Sequence, residues 1–455
     1  MAVSVERSAL PPAVYEKVIG DLTLKAKGLK SRGYKPRVTE MLAYDFDDGK
    51  MRIPIMYAKK TFKISGMRAP KHVGFKPLPM TFREGQKEVF DEAVKHLNES
   101  QSVFLQLACG YGKTWLAINL AAEINVRTMV LVHRNFLAEQ FKTEAEGIVP
   151  GQLQIISNEN ESELKGNLYV CTEDRACKLS IEFLKTFDMI IVDEAKYWCT
   201  PKRLEAMLRF TPIYTIGLCA ERKRKDGFDA LLDMIFGPVI FRMSRKPFRV
   251  WRYYTDFQPV IERPKYGYAN INWSVAMKSL AEMHERNLMI RDICRLRSKN
   301  KIMVMVTFKY HVEALESLLK EAGEDVGTFY GSAKSFKNCR ILIATYSKAE
   351  MGFDDKNLCD DFEGQRLDLL ILGSFYKKEI EQTAGRVMRT ENPEIISITD
   401  DLPTLKKHAK AHDKWFKSRC GELMPVEFLF NIYRDDEIES EQFLTYHTKP
   451  HLSYR

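Results

Sequence analysis

Between residues 103 and 220 the chain repeats one rhythm, a short apolar and often β-branched run followed by a stretch of helical periodicity. The runs are VFLQL (103–107), TMVLVH (128–133), LYVCT (168–172), MIIVDE (189–194) and YTIGLCA (214–220). Apolar runs this short, with almost no polar alternation, are strands covered on both faces. Helices between them supply the crossovers that parallel pairing needs. The rhythm returns in KIMVMVTF (301–308), DVGTFYG (325–331), RILIATY (340–346) and LDLLILG (367–373). The sequence therefore predicts an α/β chain of two successive parallel-sheet lobes. The basic, proline-containing stretch FRMSRKPFRVWR (241–252) reads as the connector between them, and its Arg242, Arg245, Lys246, Arg249 and Arg252, with Trp251, form a weaker basic patch.

Residues 1–76 do not share this rhythm. They hold 16 Lys/Arg against 7 Asp/Glu, whereas the remaining 379 residues balance at 54 of each, so the net charge of +9 lies at this end. Two runs lack carboxylates: LKAKGLKSRGYKPR (24–37), around Tyr34, and KKTFKISGMRAPKHVGFK (59–76), which opens on Lys59 and Lys60 and carries Phe62 and Phe75. Between them MRIPIMYA (51–58) alternates like a strand. A small basic domain containing β-structure is expected, suited to phosphate contact and, through its aromatics, to stacking on unpaired bases. For the aromatic rings a place in the domain's own core is the stronger expectation.

No apolar run reaches the ~18 residues of a membrane span, and the N-terminus MAVSVERSALPP lacks the pattern of a secretory signal. Nine cysteines without a C-x-x-C pair argue for a reducing compartment and against disulfides or structural zinc, so a cytoplasmic location is expected. His408 and His412 in HAKAH lack the glutamate of a zinc peptidase and read as a solvated helix face. The C-terminal stretch RDDEIESE (434–441) is acidic.

The strand at 103–107 runs into CGYGKT (109–114) and then a helical stretch. Strand, glycine-bearing loop and helix start together aim backbone N–H groups at an anion and make a phosphate cradle. Cys109, Gly110, Tyr111 and Gly112 would line it, Lys113 would pair with the outer phosphates, and the Thr114 hydroxyl would reach Mg²⁺. The usual template has another glycine where this chain has Leu107, a position before the tight part of the loop. MIIVDE closes in Asp193 and Glu194, the pair such chemistry needs: one carboxylate for the metal, one to orient and deprotonate water.

Taken in order across residues 82–390, these segments resemble the superfamily-two helicases. FREGQ (82–86) resembles their adenine-reading motif, implying Gln86 on the base. LACGYGKT resembles motif I and VDEAK (192–196) motif II. LVHRNFLAEQF (131–141) and VCTEDR (170–175) are similar to strand-end contacts with the nucleic-acid backbone, implying roles for His133, Arg134 and Thr172. GLCAERKRKDG (217–227) lies in register with the family's G-L-T-A-T-P-x-R-x-D-G, implying Arg224 on nucleic acid. TYSKAEMGFD (345–354) resembles motif V, implying Thr345 on nucleic acid and Gly352 and Asp354 near the nucleotide. EQTAGRVMR (381–389) resembles motif VI, implying Gln382, Arg386 and Arg389 in catalysis.

The resemblance implies two RecA-like lobes, ATP and Mg²⁺ as cofactors, and arginines that reach from the second lobe to the γ-phosphate. It implies the division 1–76 basic domain, 77–240 first lobe, 241–402 second lobe, and 403–455 helical extension. The tail of motif III and the form of motif V resemble the branch holding XPB-type motors and UvsW-type branch-migration helicases of tailed phages, in which case the location is the host cytoplasm. A monomeric DNA helicase or translocase that remodels forks, displacement loops or four-way junctions in recombination, repair or replication restart is the leading expectation. Translocation without strand separation, as in transcript release, and a poorly hydrolysing nucleic-acid clamp stand beside it.

Two motifs depart from the family pattern. Lys196 replaces the usual histidine of motif II, while Cys219, Glu221 and Arg222 replace the two threonines and proline of motif III. The charges of Lys196 and Glu221 are complementary. Either they form a partly buried ion pair in place of the hydroxyl–imidazole contact, or both are solvated.

Overall fold

A computed structural model describes residues 1–26, 40–64, 68–108, 110–224, 226–242, 247–262, 271–349, 353–373 and 380–429. The chain divides after Met243 into two compact units. Each holds a seven-stranded, wholly parallel sheet.

In the first unit the strands run, edge to edge, Val239–Arg242, Ser102–Leu107, Tyr214–Cys219, Met189–Val192, Thr128–Val132, Leu168–Thr172 and Leu153–Ile156. The central strands are buried throughout, as their uninterrupted apolar runs require. Val103, Leu105 and Leu107 face a core with helices Gln86–Ser100, Lys113–Ile124 and Asn135–Glu146. Phe104, Leu131 and Val192 face the opposite one.

That opposite core is shared with the N-terminal residues. A three-stranded antiparallel sheet, Ala2–Glu6, Lys50–Pro54 and Asp45–Asp47, carries helices Pro12–Leu22 and Ile55–Phe62. Its Met51 and Ile53 join Met207, Leu208, Phe210 and Phe236 in one apolar cluster, and the Ala2 amide donates to the Phe210 carbonyl at 2.8 Å. The basic end is thus packed into the first unit and has no separate core. MRIPIMYA is strand only as far as Pro54, where the fixed proline φ begins a helix from Ile55. Phe62 packs on the shared core and Phe75 on the other face, as core aromatics would.

The second unit's sheet runs Val326–Phe329, Ile341–Thr345, Ile302–Val306, Leu369–Leu372, Glu394–Thr399, Phe248–Thr255 and Gly421–Leu429. The stretch read as a connector is therefore mostly strand. Val239–Arg242 edges the first sheet, and Phe248–Thr255 lies inside the second, while Arg245 and Lys246 fall outside the described residues. The arginines hid the strand signal because each has an acceptor beside it: Arg249 meets Glu394 at 3.4 Å and Arg252 meets Asp413 at 3.1 Å.

Residues 403–429 are likewise built into this unit. Helix Pro403–Ser418 is followed by Gly421–Leu429 as the outermost strand. The helix buries Leu405, Ala409, His412 and Phe416, one stripe at helical spacing. The HAKAH face is therefore packed and not solvated: His412 is buried, and His408 stacks on Trp273 with ring centroids 6.0 Å apart. The acidic stretch at 434–441 lies outside the described residues. Among the described residues no helix is long and apolar enough to cross a membrane.

Candidate nucleotide and nucleic-acid site

Parallel strands end at a common edge, and in open α/β sheets that carboxyl edge is where ligands bind. In the first unit it gathers the glycine-bearing loop after Leu107, His133 after Val132, Thr172, Asp193 after Val192, and Cys219. Cys109 lies outside the described residues. Gly110 and Gly112 adopt left-handed φ values of 79° and 89°, a conformation that costs glycine nothing and other residues much. A Cβ on Gly112 would sit 2.5 Å from Nε2 of Gln86.

Gln86 is buried against this loop. Its Nε2 donates to the Tyr111 carbonyl at 2.7 Å, and its Oε1 accepts from the Arg83 amide at 2.9 Å. Tyr111 Oη returns a bond to the Gly85 carbonyl at 2.9 Å. The FREGQ segment and the glycine loop are thus stapled together. Lys113 begins its helix with Nζ on the Leu107 and Ala108 carbonyls at 3.1 and 3.2 Å, and Thr114 follows it, half-buried.

Asp193 is buried at the end of its strand, its amide donating to the Leu131 carbonyl at 2.9 Å. Burial, reinforced by the adjacent Glu194 charge and opposed by Lys113, pushes its carboxyl up to about 7. A carboxyl desolvated this far gains strongly from a cation. Glu194 takes a left-handed conformation with φ 45° and ψ 51°, costing about 1–3 kcal/mol for a non-glycine residue. Such strain persists where surrounding structure fixes a functional group.

The Lys196–Glu221 ion pair is present, Nζ to Oε2 2.8 Å, with the two side chains 16% and 40% exposed. Although burial pulls the Lys196 ammonium down, its Glu221 partner and the Cys219 and Glu194 charges carry it above its ordinary value. Around the pair, Cys219 Sγ donates to the Glu221 carbonyl at 2.7 Å and approaches Glu194 Oε2 at 3.7 Å. Arg224 donates to the Lys196 carbonyl at 2.8 Å while its fork holds Asp226. Arg222 pairs with Asp233 and lies over the Phe104 ring. The altered motifs are therefore closed by charge pairing.

His133 stacks on Tyr197, centroids 4.9 Å apart and planes at 24°. Burial holds its imidazole below the ordinary value, with Glu194 opposing. Arg134 is exposed, and Thr172 sits on the adjacent strand, half-buried. Tyr197 links the motif II turn to the His133 edge and was not singled out from sequence, where a tyrosine after a motif carries no signal. Of the N-terminal candidates, Tyr34 lies outside the described residues and Lys60 is exposed. Lys59 turns inward, donating to the Ser100 carbonyl at 3.0 Å and Gln101 Oε1 at 2.8 Å, and burial lowers its ammonium.

In the second unit Gly352 lies outside the described residues, and Gln382 sits on the short helix Glu381–Ala384. The other candidates cluster. Arg386 is buried and donates to the Phe353 carbonyl at 3.0 Å. Arg389 pairs with Asp354 at 2.9 Å, and Asp354 also takes Arg366 at 3.1 Å. Thr345 is buried at its strand end, 3.4 Å from the Ser347 hydroxyl.

Residues 79–223 match the family described as type III restriction enzyme, res subunit. A protein of Invertebrate iridescent virus 6 named as a helicase is 29% identical over 375 residues, 74% of this chain and 81% of that one. One of Acanthamoeba polyphaga mimivirus, named as an ATP-dependent RNA helicase, is 27% identical over 367 residues, covering 74% and 68%. Among solved structures, Saccharomyces cerevisiae Dbp5 bound to RNA and ADP BeF3 shares the fold at TM-score 0.52 and 12% identity, over 75% of this chain and 89% of that one. The family uses ATP, typically with magnesium. The residues here fit both: a left-handed loop with no room for a Cβ at Gly112, a lysine at the helix start, and a buried carboxyl held near neutrality. With its ordered motifs, its two parallel-sheet lobes and these matches, the chain is similar to the superfamily-two helicases.

Proposed function

We propose that the chain is a DNA-stimulated ATP hydrolase that remodels or unwinds branched DNA: forks, displacement loops and four-way junctions. The observation that carries the hydrolytic part is the placement of Lys113, Asp193 and the strained Glu194 at one sheet edge, with Asp193 held near neutrality by burial. Bound ATP and its magnesium supply the phosphoryl group and the counter-charge. The chain's own residues do the rest. Lys113 and the loop amides bind phosphate, Thr114 and Asp193 hold the metal, and Glu194 accepts the proton of the attacking water. Gln86 fixes the loop and reads the base. Arg386 and Arg389 serve as the transition-state cations, and Asp354 orients the second of them.

The DNA assignment rests on the excess of 16 Lys/Arg over 7 Asp/Glu in residues 1–76, fused through a shared core to the first lobe. A basic flank moving with the ATP-binding lobe is suited to hold a second strand or duplex arm. The form of motifs III and V favours the XPB-type and UvsW-type branch. Two names support a second reading, an RNA motor: the mimivirus relative is named as an RNA helicase, and Dbp5 is bound to RNA.

One experiment decides between these. ATP hydrolysis and strand separation are measured on forked, four-way and plain duplex DNA and on duplex RNA, with the native chain and Lys113→Ala. Hydrolysis stimulated most by branched DNA, with strand separation, and absent in the variant supports the proposal. Stimulation by RNA alone transfers it to the second reading. Turnover without separation leaves a pure translocase, and binding without turnover leaves a clamp.

A further inference from the structure

Motif VI is held at both ends, and only one hold comes from the motifs. Toward its C-terminal end, Arg386 bonds the Phe353 carbonyl and Arg389 pairs with Asp354. At its start, Glu381 is 11% exposed and accepts two charge-assisted or aromatic N–H bonds from the C-terminal helix region. Trp415 Nε1 donates to Oε2 at 2.7 Å, and Arg419 Nη2 donates to the same oxygen at 2.8 Å. The guanidinium of Arg419 also lies over the Trp415 ring, 5.5 Å from its centroid.

The underside of the motif packs on the same elements. Ile380, Ala384 and Val387 share a cluster with Phe248 and Phe416, and Trp415 lies against it. Behind this contact the chain turns tightly from helix to outermost strand. Cys420 takes φ 63°, and a Cβ on Gly421 would stand 2.7 Å from the Phe248 ring and 2.8 Å from the Phe416 carbonyl. The donors of Glu381 are thus fixed by a helix, a tight turn and a strand that all belong to the residues after 402.

We propose that Glu381 is a positioning residue through which the C-terminal helix sets the two arginines of motif VI, so that this helix belongs to the ATP-hydrolysing machinery. Indole and guanidinium converge on one carboxylate oxygen and fix the helix start in position and rotation. The helix Glu381–Ala384 is a single turn, so a displacement there is carried directly to Arg386 and Arg389. This role rests on the assignment of those arginines to ATP hydrolysis.

The test replaces the donors and keeps the packing: Trp415→Phe with Arg419→Met, beside Lys410→Ala, an exposed change on the same helix. Two readouts are taken. Hydrogen exchange in residues 381–390 should quicken while strand Leu369–Leu372 stays protected. Nucleic-acid-stimulated kcat for ATP should fall about tenfold, the equivalent of one lost charge-assisted hydrogen bond, with KM for ATP unchanged. Trp415→Phe alone, with Arg419 intact, should recover most of kcat. Unchanged exchange and kcat in the double variant overturn the proposal, as does an equal loss in Lys410→Ala. If the native chain hydrolyses no ATP, the functional reading fails by itself, and the exchange measurement still decides whether the C-terminal helix holds motif VI.

Discussion

An ion pair that replaces a hydroxyl–imidazole contact changes what a substitution should do. With Lys196 16% and Glu221 40% exposed, the pair is only partly desolvated. Breaking it should cost about 1 kcal/mol, nearer the surface figure than the ~3–5 kcal/mol of a fully buried pair. Its larger effect falls on geometry, since the same two residues bracket Cys219 and, through it, Glu194. Lys196→Glu and Glu221→Lys should each reduce ATP hydrolysis several-fold, and the double reversal should restore most of it. A double variant no better than either single change, in hydrolysis and in urea midpoint, would show that the contact does not couple the two motifs.

Asp193 gives a pH prediction of definite sign. Its carboxyl is raised from 3.8 to about 7 in the folded chain. Between those values the native state binds more protons than the unfolded state, so stability falls as pH rises through this window. Without magnesium, the chain should melt higher at pH 5 than at pH 8 by this contribution. Asp193→Asn should flatten that difference and abolish hydrolysis, and thermal unfolding at the two pH values checks it. Gly112→Ala makes the matching prediction for the loop. Positive φ and a collision with Gln86 should cost about 1–2 kcal/mol and free Gln86 from Tyr111, raising KM for ATP.

At the scale of elements, the second unit carries a buried ion pair beneath the ends of three strands. Arg286 is fully buried and forks onto Asp400, with Oδ1 and Oδ2 each 2.9 Å away, and also donates to the Gly373 carbonyl. Thr255 Oγ1 donates to Asp400 Oδ1 at 3.0 Å. Helix His284–Leu296 is thereby fastened to strands Phe248–Thr255, Leu369–Leu372 and Glu394–Thr399 where they finish. Arg286→Met should destabilise this unit by about 3–5 kcal/mol, because it leaves a buried carboxylate without its partner. Arg286→Met with Asp400→Leu should recover much of that loss in denaturant unfolding. Strands of uninterrupted apolar residues were legible in the sequence, because a strand covered on both faces leaves little other choice. Phe248–Thr255 was not: Arg249 and Arg252 look like surface until their partners Glu394 and Asp413 on neighbouring elements are known.

At the scale of the whole molecule, the fusion of the basic end with the first lobe is the finding of most consequence. Met51, Ile53, Phe210 and Phe236 belong to one core, so a chain starting at residue 77 would expose apolar surface that the N-terminal sheet now covers. Such a truncation should aggregate or melt well below the full chain, and should not behave as a motor that has merely lost a DNA-binding module. Circular dichroism melts and light scattering of the two chains test this. The full chain's nucleic-acid affinity should fall linearly with the logarithm of salt concentration.

CGYGKT marked a candidate phosphate cradle in one dimension, because such a cradle needs glycine, lysine and threonine in consecutive backbone positions. The rhythm of apolar runs settled the two parallel sheets for an equally local reason. What no local pattern could decide were contacts between residues far apart in the chain. Lys196 with Glu221, Lys59 with Gln101, His408 with Trp273 and Glu381 with Trp415 each join elements whose separation in sequence says nothing of their distance. A charged side chain takes its role from the partner the fold brings to it, and only the folded chain supplies that partner.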